Sequence, residues 1–143
     1  MSPDGRLIAY PDRCEAVTGG GSDVACALGV MNADGSGKHQ LLPGVTTPVP
    51  PVWSPDSNAL YVSTPFSNRR GLTLLNLRTH ARRVIAPEHW YPSLSQDRMS
   101  LGFVAGGTLP NPARIVITTL GGRILSTTPG PKNVELAGDL WVG

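Results

Sequence analysis

Charged and aromatic side chains are scarce in this sequence: 15% of the residues are Asp, Glu, Lys or Arg, and 6% are Phe, Trp or Tyr. Twelve basic against ten acidic side chains leave a formal charge of +2, too weak a field to select nucleic acid or a lipid surface. Long apolar runs are missing as well. The longest, Val24 to Met31, falls far short of the roughly 20 residues a membrane helix needs, so no membrane insertion is expected. Met1-Ser2-Pro3-Asp4-Gly5 has neither a basic start nor an apolar core, so no signal peptide is expected within the chain. No window of about ten residues or more carries a 3.6-residue apolar period, so almost no helix is expected.

Catalytic signatures are missing too. There is no G-x-S-x-G elbow of the kind that marks an α/β-hydrolase. His39, His80 and His89 stand in no metal spacing, and two cysteines without a nearby His pair fall short of four ligands. Gly35-Ser36-Gly37-Lys38 looks like a phosphate loop, but it lacks the following Ser or Thr and opens no helix. The reading is no catalytic residue, no metal and no cofactor. Glycine and proline, by contrast, are plentiful: 17 and 14 of the 143 residues, well above ordinary usage. With 40% hydrophobic residues, this is a folded chain cut up by many turns.

Those turns repeat. Pro51-Val52-Trp53-Ser54-Pro55-Asp56-Ser57-Asn58-Ala59-Leu60-Tyr61 aligns without a gap to Pro92-Ser93-Leu94-Ser95-Gln96-Asp97-Arg98-Met99-Ser100-Leu101-Gly102. A third copy opens the chain as Ser2-Pro3-Asp4-Gly5-Arg6-Leu7-Ile8-Ala9-Tyr10, and the copies start 52 and 41 residues apart at Ser2, Ser54 and Ser95. Each is followed by a β-forming stretch, Leu28 to Gly35, Leu72 to Thr79 or Ile115 to Gly122, and then by a short third segment beginning at His39, Arg83 or Arg123. Ser2-Pro3-Asp4-Gly5 is a turn for physical reasons: Pro presets φ, Asp bonds its own backbone, and Gly takes positive φ. Ser54-Pro55-Asp56 repeats it, and Asp34-Gly35 supplies a turn between later strands. Short strands in units of about 40–45 residues are the mark of a propeller.

The residues Trp53-Ser54-Pro55-Asp56, the opening SPDG and the segment VMNADGSGKHQLLP resemble the WD40-like repeat of TolB-type β-propellers. Related propellers occur in prolyl-oligopeptidase-like peptidases. The resemblance spans roughly residues 2 to 128. The third copy departs at Gln96 and Arg98, where the pattern has Pro and Gly, which opens its turn to a different geometry. The expected fold is all-β: a single WD40-like propeller segment over 1–143 of about three four-stranded blades. Blade 1 covers 2–44 with its inner strand missing, blade 2 covers 47–87, blade 3 covers 88–129, and a closing strand lies at 133–142. Three blades fall short of the four to eight that ordinarily close a ring. Either two chains pair as a homodimer into a six-bladed ring, or the chain is a piece of a longer propeller; the start at SPDG favours the second.

Blade topology sorts the connections onto two ends. One end collects the tight turns. The other collects Pro11–Ala25, Pro65–Gly71 with Arg69 and Arg70, Gly106–Pro112, and the crossovers Pro43–Pro48 and Pro87–Tyr91, the latter holding Glu88, His89, Trp90 and Tyr91. Irregular loops on a rigid scaffold are where binding concentrates, so this face, with Arg69, Arg70, Glu88, His89, Trp90 and Tyr91, is the candidate surface for a protein partner. Arg69, Arg70, Arg78, Arg82 and Arg83 form a basic cluster with no acid between residues 57 and 87. Cys14 and Cys26 either bridge a hairpin mouth, worth about 2–3 kcal/mol and implying an oxidising compartment, or stay as two buried thiols. Leu7, Ala9, Leu60, Val62, Leu74, Leu101, Phe103, Ile115 and Ile117 are expected between blades, and Trp53 near the axis or between blades. The resemblance implies a non-catalytic binding scaffold in an extracytoplasmic setting; the competing reading is part of the substrate-gating propeller of a peptidase whose catalytic domain lies elsewhere.

Overall fold

In the computed structural model, the residues whose structure is described are 1–16, 24–46, 50–64, 71–87, 89–105 and 113–130. They form strands only, in three antiparallel sheets. The first contains β1 (Leu7–Ala16), β2 (Val24–Asn32) and β3 (His39–Thr46). The second contains β4 (Val52–Trp53), β5 (Ala59–Ser63), β6 (Gly71–Asn76) and β7 (Arg82–Pro87). The third contains β8 (His89–Leu94), β9 (Ser100–Ala105), β10 (Arg114–Thr119) and β11 (Ile124–Pro129). Within each sheet the strands lie in chain order, as they must when every connection is a hairpin. The region 131–143, where a closing strand is expected, lies outside the described residues.

The sheets stack face on face, and register decides which residues meet. In the middle sheet Leu60 opposes Leu75 and Val62 opposes Thr73, while Tyr61 opposes Leu74 and Ser63 opposes Leu72. Alternation therefore sends Leu60, Val62, Leu75 and Trp53 toward Leu28, Val30 and Leu42 of the first sheet. It sends Tyr61, Leu72 and Ala86 toward Leu101, Phe103 and Val116 of the third. Every residue of β5 is buried because both of its faces are covered. Trp53 belongs to the first of these cores, between sheets.

Three expectations need correction. Pro11–Ala25 is not a loop throughout, since β1 continues to Ala16 and β2 begins at Val24. Proline is tolerated in an edge strand, where its missing N–H can face away from the partner, and Pro11 stays paired with Leu28. A bulge between Asp12 and Cys14 follows, with Arg13 at φ 45°. The crossovers are likewise largely strand: β3 runs on to Thr46, β7 ends at Pro87 and β8 begins at His89. In β10 the inward face is Val116 and Thr118, with Ile115 and Ile117 only half-buried on the other side. Both faces of that strand carry β-branched residues, so pattern alone cannot orient it; the pairing of Val116 with Phe103 does.

The second and third sheets also meet at a turn. Tyr61 donates its hydroxyl to the Leu120 carbonyl at 3.1 Å. Gly122 sits at φ +91°, and a Cβ there would stand 2.9 Å from Ile85 Cγ2 and 3.0 Å from the Ile85 carbonyl oxygen. Backbone on one side and a left-handed conformation on the other leave room for glycine alone. Replacement by valine should destabilise the fold by about 2–4 kcal/mol, checked by urea unfolding; an unchanged midpoint would show that the two sheets do not meet there.

Candidate functional site

The end of the molecule that carries the tight turns is built from one hydrogen-bond pattern used three times. Ser2, Ser54 and Ser95 each donate their hydroxyl to the carboxylate two residues on, Asp4, Asp56 or Asp97. Each serine oxygen accepts the N–H five residues on, from Leu7, Ala59 or Ser100, at 2.9–3.0 Å. The same aspartates accept the N–H of Arg6, Asn58 or Met99. The fourth residue has positive φ in every copy: Gly5 at 74°, Ser57 at 61° and Arg98 at 58°. Thus Gln96 and Arg98 do not change the third turn; the Ser–Asp pair and two backbone N–H groups hold it, and Arg98 carries the strain. Ser57 has a compensation, because its hydroxyl accepts the Asp4 N–H at 3.1 Å and ties the first turn to the second.

These bonds govern the acids. The Ser2 hydroxyl, followed by the Arg6 N–H, holds the Asp4 carboxyl below its ordinary value. Ser54 and Asn58 do the same for Asp56, Ser95 and Met99 for Asp97, and the hydroxyl and N–H of Ser36 for Asp34. Asp34 and Gly35 shape the turn between β2 and β3, with Gly35 at φ 84°. Carboxylates depressed in this way are poor proton acceptors near neutrality, and in each one Oδ1 accepts both a serine hydroxyl and a backbone N–H. An open recess of about 450 Å³ borders Ser95, Gln96 and Asp97. No group of three or more His, Cys, Asp or Glu side chains suited to a metal ion occurs among the described residues.

The opposite end holds the sequence's candidate partner surface. Arg69, Arg70 and Glu88 lie outside the described residues. His89, Trp90 and Tyr91 open β8, with His89 opposite Ala105, Trp90 opposite Val104 and a bulge before Ser93. The flanks of the 65–70 connection are tied, Thr64 donating both its N–H and its hydroxyl to the Gly71 carbonyl at 2.9 and 3.1 Å. At the same end Cys14 and Cys26 stand directly opposite each other and form a disulfide, with Cα atoms 4.0 Å apart. His39 and His80 belong to the turn end; His39 Nδ1 lies 2.9 Å from the Gly37 carbonyl oxygen and His80 has φ 57°. Arg78, Arg82 and Arg83 are exposed. Arg114 and Arg123 are exposed as well, and their signal in the sequence is the lack of any acid between residues 98 and 134.

Arg98→Gly should raise stability by about 0.5–1 kcal/mol, because glycine accepts positive φ without steric cost; a higher urea midpoint at unchanged slope is the check. Acid should do the reverse. The four depressed carboxyls bind protons less readily folded than unfolded, so their contribution is complete above the ordinary value of 3.8 and is lost as pH falls through their lower folded values. Urea unfolding in steps down to about pH 2.5 should show that loss, and Ser54→Ala should make it shallower by letting Asp56 titrate nearer 3.8.

No protein-family model and no curated protein sequence matches the chain. Solved structures do. TolB from Acinetobacter baumannii is 23% identical with a TM-score of 0.63, over 92% of this chain and 32% of that one. A TolB-designated protein from Agrobacterium tumefaciens is 18% identical with a TM-score of 0.62, over 90% of this chain and 48% of that one. The acylaminoacyl peptidase of Pyrococcus horikoshii is 13% identical with a TM-score of 0.53, over 88% of this chain and 26% of that one. The chain thus spans between a quarter and a half of the length of these structures, and its fold of stacked antiparallel sheets is that of the propeller-containing TolB structures.

Proposed function

We propose that the chain is a non-catalytic propeller module that binds a protein partner through the end carrying its irregular connections. The observation that supports this most is the division of labour between the two ends. At the turn end Asp4, Asp34, Asp56 and Asp97 each hold backbone through Oδ1, and their lowered pKa makes them poor proton acceptors. At the other end the strands are tied at their tips by Cys14–Cys26 and by Thr64 on Gly71, and the connections between the tips carry Arg69, Arg70 and Glu88. Rigid strands presenting varied connections are the usual architecture of a binding face. The disulfide, together with the likeness to TolB, supports an extracytoplasmic setting.

The likeness to an acylaminoacyl peptidase supports a second reading, a segment of a peptidase's gating propeller. A reading frame that continues into an α/β segment with a G-x-S-x-G elbow would decide for it. The partner-binding reading is tested by placing photo-crosslinking benzoylphenylalanine at position 70 or 89, and at position 58 of the turn end, in the cells that make the protein. Adducts of defined mass should form from the loop end and not from position 58. Adducts from position 58 alone, or none from 70 and 89, would overturn it.

A further inference from the structure

The outer rim between the second and third sheets carries a groove of about 250 Å³ lined by β7 and by β9 to β11. Its walls are apolar, with Ile85 on one side and Phe103, Val116 and Ile124 on the other. The Thr118 hydroxyl on its lining is buried and has no hydrogen-bond partner among the described residues. Ile124 and Leu125 beside it are 65% and 51% exposed, although this is a water-facing rim.

One wall of the groove is a sheet edge. Among the described residues β11 is the last strand of its sheet, and it is exposed at all six positions. Gly130 donates its N–H to the Ala113 carbonyl at 2.8 Å, and Ile115 opposes Thr128. Backbone polarity alternates along a strand, so Gly130 and Thr128 point toward β10, and the N–H and C=O of Thr127 point outward. Sheet edges are ordinarily blunted by charge or proline. β7 carries Arg82 and Arg83, whereas Ile124-Leu125-Ser126-Thr127-Thr128-Pro129 has no charge and only a terminal proline.

The surroundings are cationic. Arg114 lines the groove, Arg123 precedes β11, and Arg82 and Arg83 stand on β7, all exposed. None has an ion pair among the described residues, where Arg6–Asp4 at 3.9 Å is the one salt bridge. No Asp or Glu occurs in residues 57–87 or 98–134, so the neighbouring strands offer these cations no counter-charge.

We propose that this rim binds an extended acidic peptide, which adds to β11 as a further strand through Thr127, seats an apolar side chain in the groove and sets its carboxylates against Arg114 and Arg123. Main-chain pairing supplies the geometry and the groove supplies side-chain selection, as in other strand-addition sites. The groove reaches the loop end at Pro87, Ala105 and Arg114, but the edge of β11 is not one of that end's connections, and the proposal does not rest on that end binding a partner.

The test is fluorescence anisotropy with a labelled peptide, Glu-Val-Glu-Phe-Glu-Val-Glu, on the intact chain. It should bind saturably and weaken as salt is raised. The Arg114→Glu, Arg123→Glu double variant should bind it about tenfold more weakly or worse. Thr127→Pro removes an outward N–H while sparing the bonds to β10, and should abolish binding with the circular dichroism unchanged. Should that variant unfold, the same peptide N-methylated at alternate amides, tested on the unaltered chain, should fail to bind in one of its two methylation frames. Equal binding of a Lys-for-Glu peptide, indifference to both methylation frames, or no saturation at millimolar peptide would overturn the proposal. So would a homodimer that Thr127→Pro dissociates, which would assign the edge to a second copy of the chain.

Discussion

The middle sheet has to be hidden on both sides. Leu60, Val62 and Leu75 on one face and Tyr61, Leu72 and Ala86 on the other are all buried, and neither set can be covered by the sheet's own strands. The stacking of the three sheets follows from that requirement, since burial of apolar area is the dominant favourable term in folding. It also explains the composition of β5, Ala59-Leu60-Tyr61-Val62-Ser63, which lacks the polar alternation of a strand with one wet face. The same strand supplies Tyr61, whose hydroxyl reaches the Leu120 carbonyl across to the third sheet. Burial raises that hydroxyl's pKa and keeps it a donor.

Sheet spacing is then held at one end by turns that all solve the same problem. A chain reversing between an inner strand and its neighbour must satisfy two or three N–H groups within a few residues. A Ser two positions before an Asp does this compactly, the serine oxygen accepting one N–H and the carboxylate another. That is why the motif was so legible: its side chains bond backbone close by in sequence, so the pattern survives in any tertiary context. Proline and glycine in the motif are optional, as Gln96 and Arg98 show, because φ 58° at Arg98 costs less than losing the Ser–Asp bonds. The sequence pattern overstated the role of the glycine and understated that of the Ser–Asp pair.

Less was legible wherever the outcome depended on a partner strand distant in sequence. Val116 and Thr118 face inward because Val116 lies opposite Phe103, and nothing local to Ile115–Thr118 says so. The length of β1 was hidden by Pro11 and Asp12, both poor strand formers that an edge position tolerates. Cys14 and Cys26 could be placed on one hairpin from spacing, but their direct opposition depends on the bulge at Asp12 and Cys14, which shifts the register by one residue. The groove was invisible for the same reason: Ile85, Phe103 and Ile124 converge only after two sheets have packed. The charge pattern around it is legible in the sequence alone, because long stretches without a carboxylate need no structure to be seen.

Rigidity at the loop end has a different source from rigidity at the turn end, and the difference bears on what each end can vary. The turns are held by their own side chains, so changing a turn sequence changes its shape. At the loop end the strand tips are fixed from behind, by a disulfide closing a separation of 12 residues and by the two bonds from Thr64 to the Gly71 carbonyl. A cross-link of that span restricts the unfolded chain by about 3 kcal/mol in the loop-entropy account, whatever residues lie between the cysteines. These bonds hold the strand tips whatever sequence joins them, whereas at the turn end the pairing depends on Ser2, Asp4, Ser54 and Asp56 themselves.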